Sequence, residues 1–239
     1  MRSAVVIMQS VSGAARALLL LGVLALAGCT HTAPKLASGD IQWTEPTKRV
    51  VVLDPDVALS ELTIGGMSEP RADWTSEART YVGESLHRIL VARGVDVVDA
   101  GSLDDPRAVQ LIKLNDAVGL AIRMHLYISP LKLPNKANAL DWTLGPGANM
   151  LRDKYGADYA LFTNIRDSYS SGSRKVLMLL AAAGGVAVPG GQQYGIASLI
   201  DLRTGNIVWF NQMDSATGDL RSETPASKAM HSLLDGLPL

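Results

Sequence analysis

Arg49-Val50-Val51-Val52-Leu53 is a β-branched run stopped by Asp54-Pro55-Asp56, and Val95-Asp96-Val97-Val98 is a second such run. Between them, Ala78, Val82, Leu86, Ile89 and Leu90 fall on one face at helical spacing over residues 73–93. Asp73 or Thr75 can cap this helix and Gly94 can end it. A strand, a helix and a strand in that order predict a parallel pair joined by a crossover. No other pattern in the chain limits its fold as tightly. Residues 55–72, punctuated by Gly65-Gly66 and Pro70, read as loop.

Further along, Asp105-Pro106 is a cap residue followed by proline at the first helical position. Leu111, Leu114, Val118, Ile122 and Leu126 continue one helical face, whereas Leu120, Ile122, Met124, Leu126 and Ile128 alternate as in a strand. A long helix, bent at Gly119, is preferred to the strand because its periodicity persists over more turns. Residues 129–145 read as loop, 147–155 as a short helix and 156–162 as a strand, with a polar turn at 168–173. Residues 192–202 and 206–213 predict a β-hairpin turned by Arg203-Thr204-Gly205-Asn206. Ala229, Met230, Leu233 and Leu234 mark the inward side of a last helix over 225–234. The expected class is mixed α/β, in two or three layers, with an early β-α-β unit and a C-terminal antiparallel hairpin followed by a helix.

Cys29 is the only cysteine, so no intrachain disulfide can form. It ends Leu26-Ala27-Gly28-Cys29, after a leader with Arg2, Arg16 and the apolar core Ala17 to Ala27. That core is too short to span a bilayer, which takes roughly 20 residues, but it fits an export signal. The tetrapeptide resembles the lipobox of bacterial lipoproteins. The resemblance implies cleavage between Gly28 and Cys29, acylation of Cys29, and attachment to a membrane through the lipid. Thr30 stands where an aspartate favours inner-membrane retention in enterobacterial lipoproteins, so the outer membrane, on its periplasmic face, is the expected location. Met8 is a second possible start, excluded if unprocessed precursor yields peptides from before it.

The expected organisation is therefore a signal peptide over 1–28, a lipidated tether over 29–47 and one domain over 48–239. The tether reading rests on Pro34, Ser38, Gly39 and Pro46, with Trp43 where packing begins. Without residues 1–28 the chain holds 20 Lys plus Arg against 23 Asp plus Glu, a formal charge of −3. No basic stripe appears, which argues against nucleic acid as a partner.

Leu151-Arg152-Asp153-Lys154-Tyr155-Gly156-Ala157-Asp158-Tyr159-Ala160-Leu161 and the hairpin through Asp201-Leu202-Arg203-Thr204-Gly205 carry a second resemblance. Their helix-to-"GADY"-strand passage and "D-x-x-T-G" turn resemble the α/β domains of CsgG-like curli-secretion lipoproteins, LpoB-like activators of penicillin-binding proteins and TolB amino-terminal domains. The chain also resembles other proteobacterial lipoproteins. The resemblance spans about residues 48–235 and implies a fold rather than an activity. It implies an envelope binding or assembly factor, or a subunit of a CsgG-like oligomeric export or scaffold assembly. Residues 168–195 do not alternate as CsgG-like barrel strands do, and the tether is shorter than in LpoB-like proteins.

No catalytic, metal or cofactor motif emerges. His31, His87, His125 and His231 form no ligand pair such as His-x-x-x-His; His87 and His125 are the one pair that folding could bring together. Asp54 and Asp56 flank Pro55 at a strand end where α/β folds often hold ligands, yet turn chemistry explains them more simply. Ser60 and Ser85 lie in no Gly-x-Ser-x-Gly elbow. Gly65-Gly66, Gly145-Pro146-Gly147 and Gly190-Gly191 lack the lysine of a phosphate loop. An envelope hydrolase is thus a third option without a nucleophile–base pair. The remaining anomaly is Val176 to Val188, thirteen residues without charge. Burial in the core is its simplest reading. The sharper ones are a membrane dip beside the lipid or self-association through Val176, Leu177, Leu179, Leu180 and Val186.

Overall fold

The computed structural model describes residues 31–37, 41–43, 48–101, 105–136, 138–214 and 218–239. Among these residues nine strands form one mixed sheet: β1 (His31–Thr32), β2 (Lys35–Leu36), β3 (Arg49–Val52), β4 (Asp56–Leu62), β5 (Ser68–Pro70), β6 (Asp96–Asp99), β7 (Tyr159–Ser170), β8 (Gln193–Asp201) and β9 (Ile207–Asp214). Its helices are α1 (Ala72–Ala92), α2 (Pro106–Ile122), α3 (Asn149–Tyr155), α4 (Gly172–Ala183) and α5 (Glu223–Leu233).

The predicted β-α-β unit is present, with β3 and β6 parallel in register from Arg49↔Asp96 to Val52↔Asp99. β3 also runs parallel to β7, which starts the antiparallel meander β7–β8–β9. Along β3, Val50 and Val52 enter one apolar cluster while Val51 and Leu53 enter another; Tyr159/Leu161 and Ala160/Phe162 divide likewise on β7. Strand side chains alternate faces, so the two clusters are the two faces of the sheet. α1 and α5 cover the first face, and α2 and α3 the second. The fold is a mixed α/β domain in three layers.

Residues 55–72 are not loop: β4 and β5 form a hairpin, and β4 continues the line of β3 along β7. Val52 lies opposite Leu161 and Asp56 opposite Asn164, so β3–β4 carries one more residue than β7 across Asp54-Pro55. This bulge returns Val57 to the face of Val52. α1 begins without a side-chain cap, contrary to expectation. Thr75 Oγ1 instead accepts from Leu59 N at 2.9 Å and ties the helix to β4, while Asp73 pairs with Arg71 at 2.7 Å. That contact and its hydrogen bonds hold the Asp73 carboxyl below its ordinary value.

α2 starts as predicted, with Asp105 Oδ1 accepting from Arg107 N at 2.9 Å ahead of Pro106. Residues 120–127 are helical, the last turn widening to π geometry at Arg123–Tyr127, and Ile128 is extended. That turn, not Gly119, is where the helix departs from α form. Gly119 serves close packing, since a Cβ there would sit 2.5 Å from Ile196 Cδ1. β7 runs through the predicted polar turn to Ser170, and the final hairpin and helix stand within two residues of their predicted bounds.

Part of the segment read as a tether is sheet. His31 and Thr32 pair with Asp214 and Met213, and Lys35 and Leu36 with Phe210 and Trp209. Trp43 packs edge-on against Tyr159, ring centroids 4.9 Å apart. Gly28 and Cys29 lie outside the described residues.

Candidate functional site

The apolar run predicted at 176–188 occupies α4 and the loop after it, and it is not core. Val176, Leu177, Leu179, Leu180 and Val186 are 58%, 36%, 72%, 66% and 59% exposed. The buried-element reading fails because α1, α5, α2 and α3 already cover both faces of the sheet. Residues 171–192 form an excursion from the end of β7 to the start of β8, beyond the sheet's end.

A single buried side chain ties this excursion down. Arg174 is 8% exposed and is the only buried residue of α4. Its guanidinium donates to Pro189 O at 2.7 Å and to Thr63 O and Ile64 O at 3.4 Å each. Arg174 thus joins α4, its return loop and the tip of the β4–β5 hairpin. That tip adds Ile64 and Met67, 55% and 68% exposed, to the apolar surface. Ser171 caps α4 by accepting from Arg174 N at 3.2 Å, and Ser170 Oγ lies 3.7 Å from Met178 Sδ. The result is an apolar end face on a polar mount. Sequence reasoning had the α4 residues but missed Ile64, Met67 and Arg174. The alternation of buried Val57 and Leu59 was the available signal for the hairpin that carries the first two.

Alanine at Arg174 removes charge-assisted bonds without touching the sheet core. Losing about 2 kcal/mol of local stability speeds amide exchange ~30-fold. Hydrogen-exchange mass spectrometry of Arg174→Ala is expected to show this over residues 63–66 and 172–192, with β7–β9 unchanged.

Beneath this face lies a buried carboxyl. Asp167 Oδ2 accepts from Gln193 Nε2 at 2.6 Å and from Tyr169 Oη at 2.5 Å, and Tyr169 Oη accepts from Leu220 N at 2.9 Å. Burial pushes Asp167 up to about 6, against the opposing pull of the hydrogen bonds from Tyr169 and Gln193. Burial and Asp167 together raise Tyr169. The folded state therefore binds the Asp167 proton more tightly than the unfolded chain does. The stability this adds is present below about pH 4 and is lost as pH rises through about 6. Urea unfolding across that range is expected to show the wild type losing up to about 3 kcal/mol relative to Asp167→Asn. Parallel pH profiles of the two proteins would assign the titration elsewhere.

A groove of about 840 Å³ opens at the C-terminal ends of β3 and β6, lined by Leu53, Pro55, His87, Val91 and Ala92 among others. Asp54 and Asp99 also line it, and His87 Nδ1 lies 3.2 Å from Asp99 Oδ2. Among the described residues its lining contains no Ser, Thr, Cys, Tyr or Lys; Glu84 is its third carboxylate. Asp56 turns away into the sheet, pairing with Arg166 at 2.5 Å and accepting from Asn164 at 3.0 Å. His125 lies in the layer opposite His87, its Nδ1 2.8 Å from Leu131 O, so the two histidines are not brought together. Ser85 is buried. Among the described residues no three of His, Cys, Asp and Glu converge as a metal site, and no helix is long and apolar enough to cross a membrane.

No known protein family and no curated protein matches the chain. Among solved structures it is similar to the PelC dodecamer from Paraburkholderia phytofirmans, at 15% identity, 88% of this chain, 98% of that chain and a TM-score of 0.40. A single-substitution PelC dodecamer from the same organism gives 16%, 88%, 97% and 0.39. At such identity and TM-score the likeness assigns this chain neither a function nor an assembly.

Proposed function

We propose that this chain is an acylated lipoprotein on the periplasmic face of the bacterial outer membrane, acting as a non-enzymatic binding or assembly factor in the envelope. The observation that carries this reading is the apolar end face of α4 and the β4–β5 tip. Exposed apolar side chains gathered in one place mark a surface that works by being covered. The lipobox-like Leu26-Ala27-Gly28-Cys29 supplies the compartment and the attachment. Expression in a bacterial host tests both. The chain is expected in the membrane fraction with an acylated Cys29 as its first residue, and Cys29→Ala is expected to keep its leader. An unacylated amino terminus at any other residue contradicts the anchor.

A second reading, a subunit of an oligomeric export or scaffold assembly, draws on two separate apolar features. Val176, Leu177, Leu179, Leu180 and Val186 project from α4 and its loop, while the groove beside Leu53, Pro55, Val91 and Ala92 lies elsewhere on the molecule. A knob on one face and a groove on another make a head-to-tail contact that closes into rings when the rotation permits. Light scattering separates the readings: a discrete oligomer that charges on α4 dissolve favours the ring, and a monomer excludes it.

A further inference from the structure

We infer that the surface covering this end face is the phospholipid bilayer itself, an inference that rests on acylation of Cys29. The register of the sheet places the chain's point of entry. His31 lies opposite Asp214, Asp214 opposite Tyr194, and the neighbouring Gln193 opposite Asp167. His31, the start of β8 and the last residues of β7 before α4 therefore share one end of the sheet. With strands about 4.8 Å apart, β1 lies ~14 Å from β7 and ~19 Å from β4 across that end.

Cys29 precedes His31 by two residues, which reach at most about 7 Å when fully extended. An acyl group on Cys29 thus holds this end of the domain against the headgroups, and the end so held is the one bearing α4. A second copy seated on the same face would have to lift both domains away from the bilayer to which each is tied so closely. The composition of the face agrees. From Ser168 to Ile200 the chain has no Asp or Glu, so α4 and its return loop bring no carboxylate to the headgroups, while exposed Glu69 stands two residues from Met67 on the β4–β5 hairpin. Lys175 is exposed in the first turn of α4, where its ammonium can meet a phosphate. A short helix with an apolar side and a cationic start lies in the membrane interface rather than across it. The surface has the chemistry of a shallow footprint.

The test uses the full acylated chain with one added thiol, since Cys29 is the only native cysteine and its sulfur carries lipid. Leu179→Cys, at a site already exposed, is labelled with an environment-sensitive nitrobenzoxadiazole and reconstituted in phosphatidylethanolamine–phosphatidylglycerol vesicles. Lys154→Cys, exposed at the end of α3 that leads into the start of β7, is the control. The expected result is a blue-shifted emission at position 179, quenched by a shallow nitroxide-labelled lipid, with the label at position 154 unaffected. A label at 179 that stays water-exposed on protein floating with the vesicles overturns the bilayer as occupant and leaves the anchor standing. Protein that does not float overturns the anchor, and the inference falls with it.

Discussion

Replacing Leu179 and Leu180 together by glutamate is expected to lower the vesicle affinity of the unacylated polypeptide about 100-fold or more. These are the two most exposed large apolar side chains of α4. Fully covering a leucine is worth about 1.5–3 kcal/mol, so even half-coverage of the pair is worth about 2 kcal/mol. Two carboxylates add a desolvation cost and repulsion from anionic lipid, which carries the loss past the tenfold that each 1.4 kcal/mol represents. The fold should scarcely notice. Glutamate and leucine are both good helix formers, and exposed substitutions usually cost within about 0.5 kcal/mol. Co-sedimentation with vesicles reads the first effect and urea unfolding the second. A variant that binds as the wild type does would remove α4 from the account.

Gly205→Ala is expected to destabilise the domain strongly for a single added methyl. Gly205 sits in the β8–β9 turn at φ +77°, and a Cβ there would stand 2.0 Å from Gly145 O. The position is held by three bonds: Gly205 N donates to Asp201 O at 2.7 Å, and Gly205 O accepts from Leu144 N at 2.8 Å and Thr143 Oγ1 at 3.0 Å. The left-handed conformation alone costs an alanine ~1–2 kcal/mol. The overlap is with backbone, which cannot swing aside, so the hairpin must part from the 143–145 segment. A total of about 3 kcal/mol lowers the melting temperature by roughly 6–12 °C in a domain of this size. Gly147→Ala is the control: a Cβ there meets nothing within 4 Å, and its melting temperature should match the wild type. Calorimetry of the two variants checks the contrast.

The elements legible in the sequence were those whose signal lies in their own side chains. α1 announces itself through Ala78, Val82, Leu86, Ile89 and Leu90, all buried, and α2 through Asp105-Pro106. β4 was hidden because Pro55 and the glycines at 65 and 66 flank it, and because only its pairing with β7 makes sense of the bulge at Asp54-Pro55. β7 looked short because its apolar run ends at Phe162, and Asn164, Arg166 and Asp167 interrupt the apolar pattern ahead of the predicted polar turn at 168–173. They lie in the sheet because Asp56 pairs with the first two and Tyr169 and Gln193 bond the third. β1 and β2 are two residues each and exist only against β9.

The site divides in the same way. Val176, Leu177, Leu179, Leu180 and Val186 stood out as an uncharged run, but whether such a run is buried depends on what else covers the sheet. Periodicity along one helix holds no information about that. Ile64 and Met67 join them through the pairing of β4 with β7 and through Arg174, whose carbonyl partners at Thr63 and Ile64 lie more than a hundred residues away.

Neutron reflectometry of the full acylated chain on a supported phospholipid bilayer tests the central claim most directly, because it reads the distance between domain and membrane. The account predicts protein density starting at the headgroups, with a water layer no thicker than the ~7 Å that two residues can span. A hydrated gap several times that thickness would mean the domain stands off on a true tether, and the end face of α4 would then not be a membrane surface.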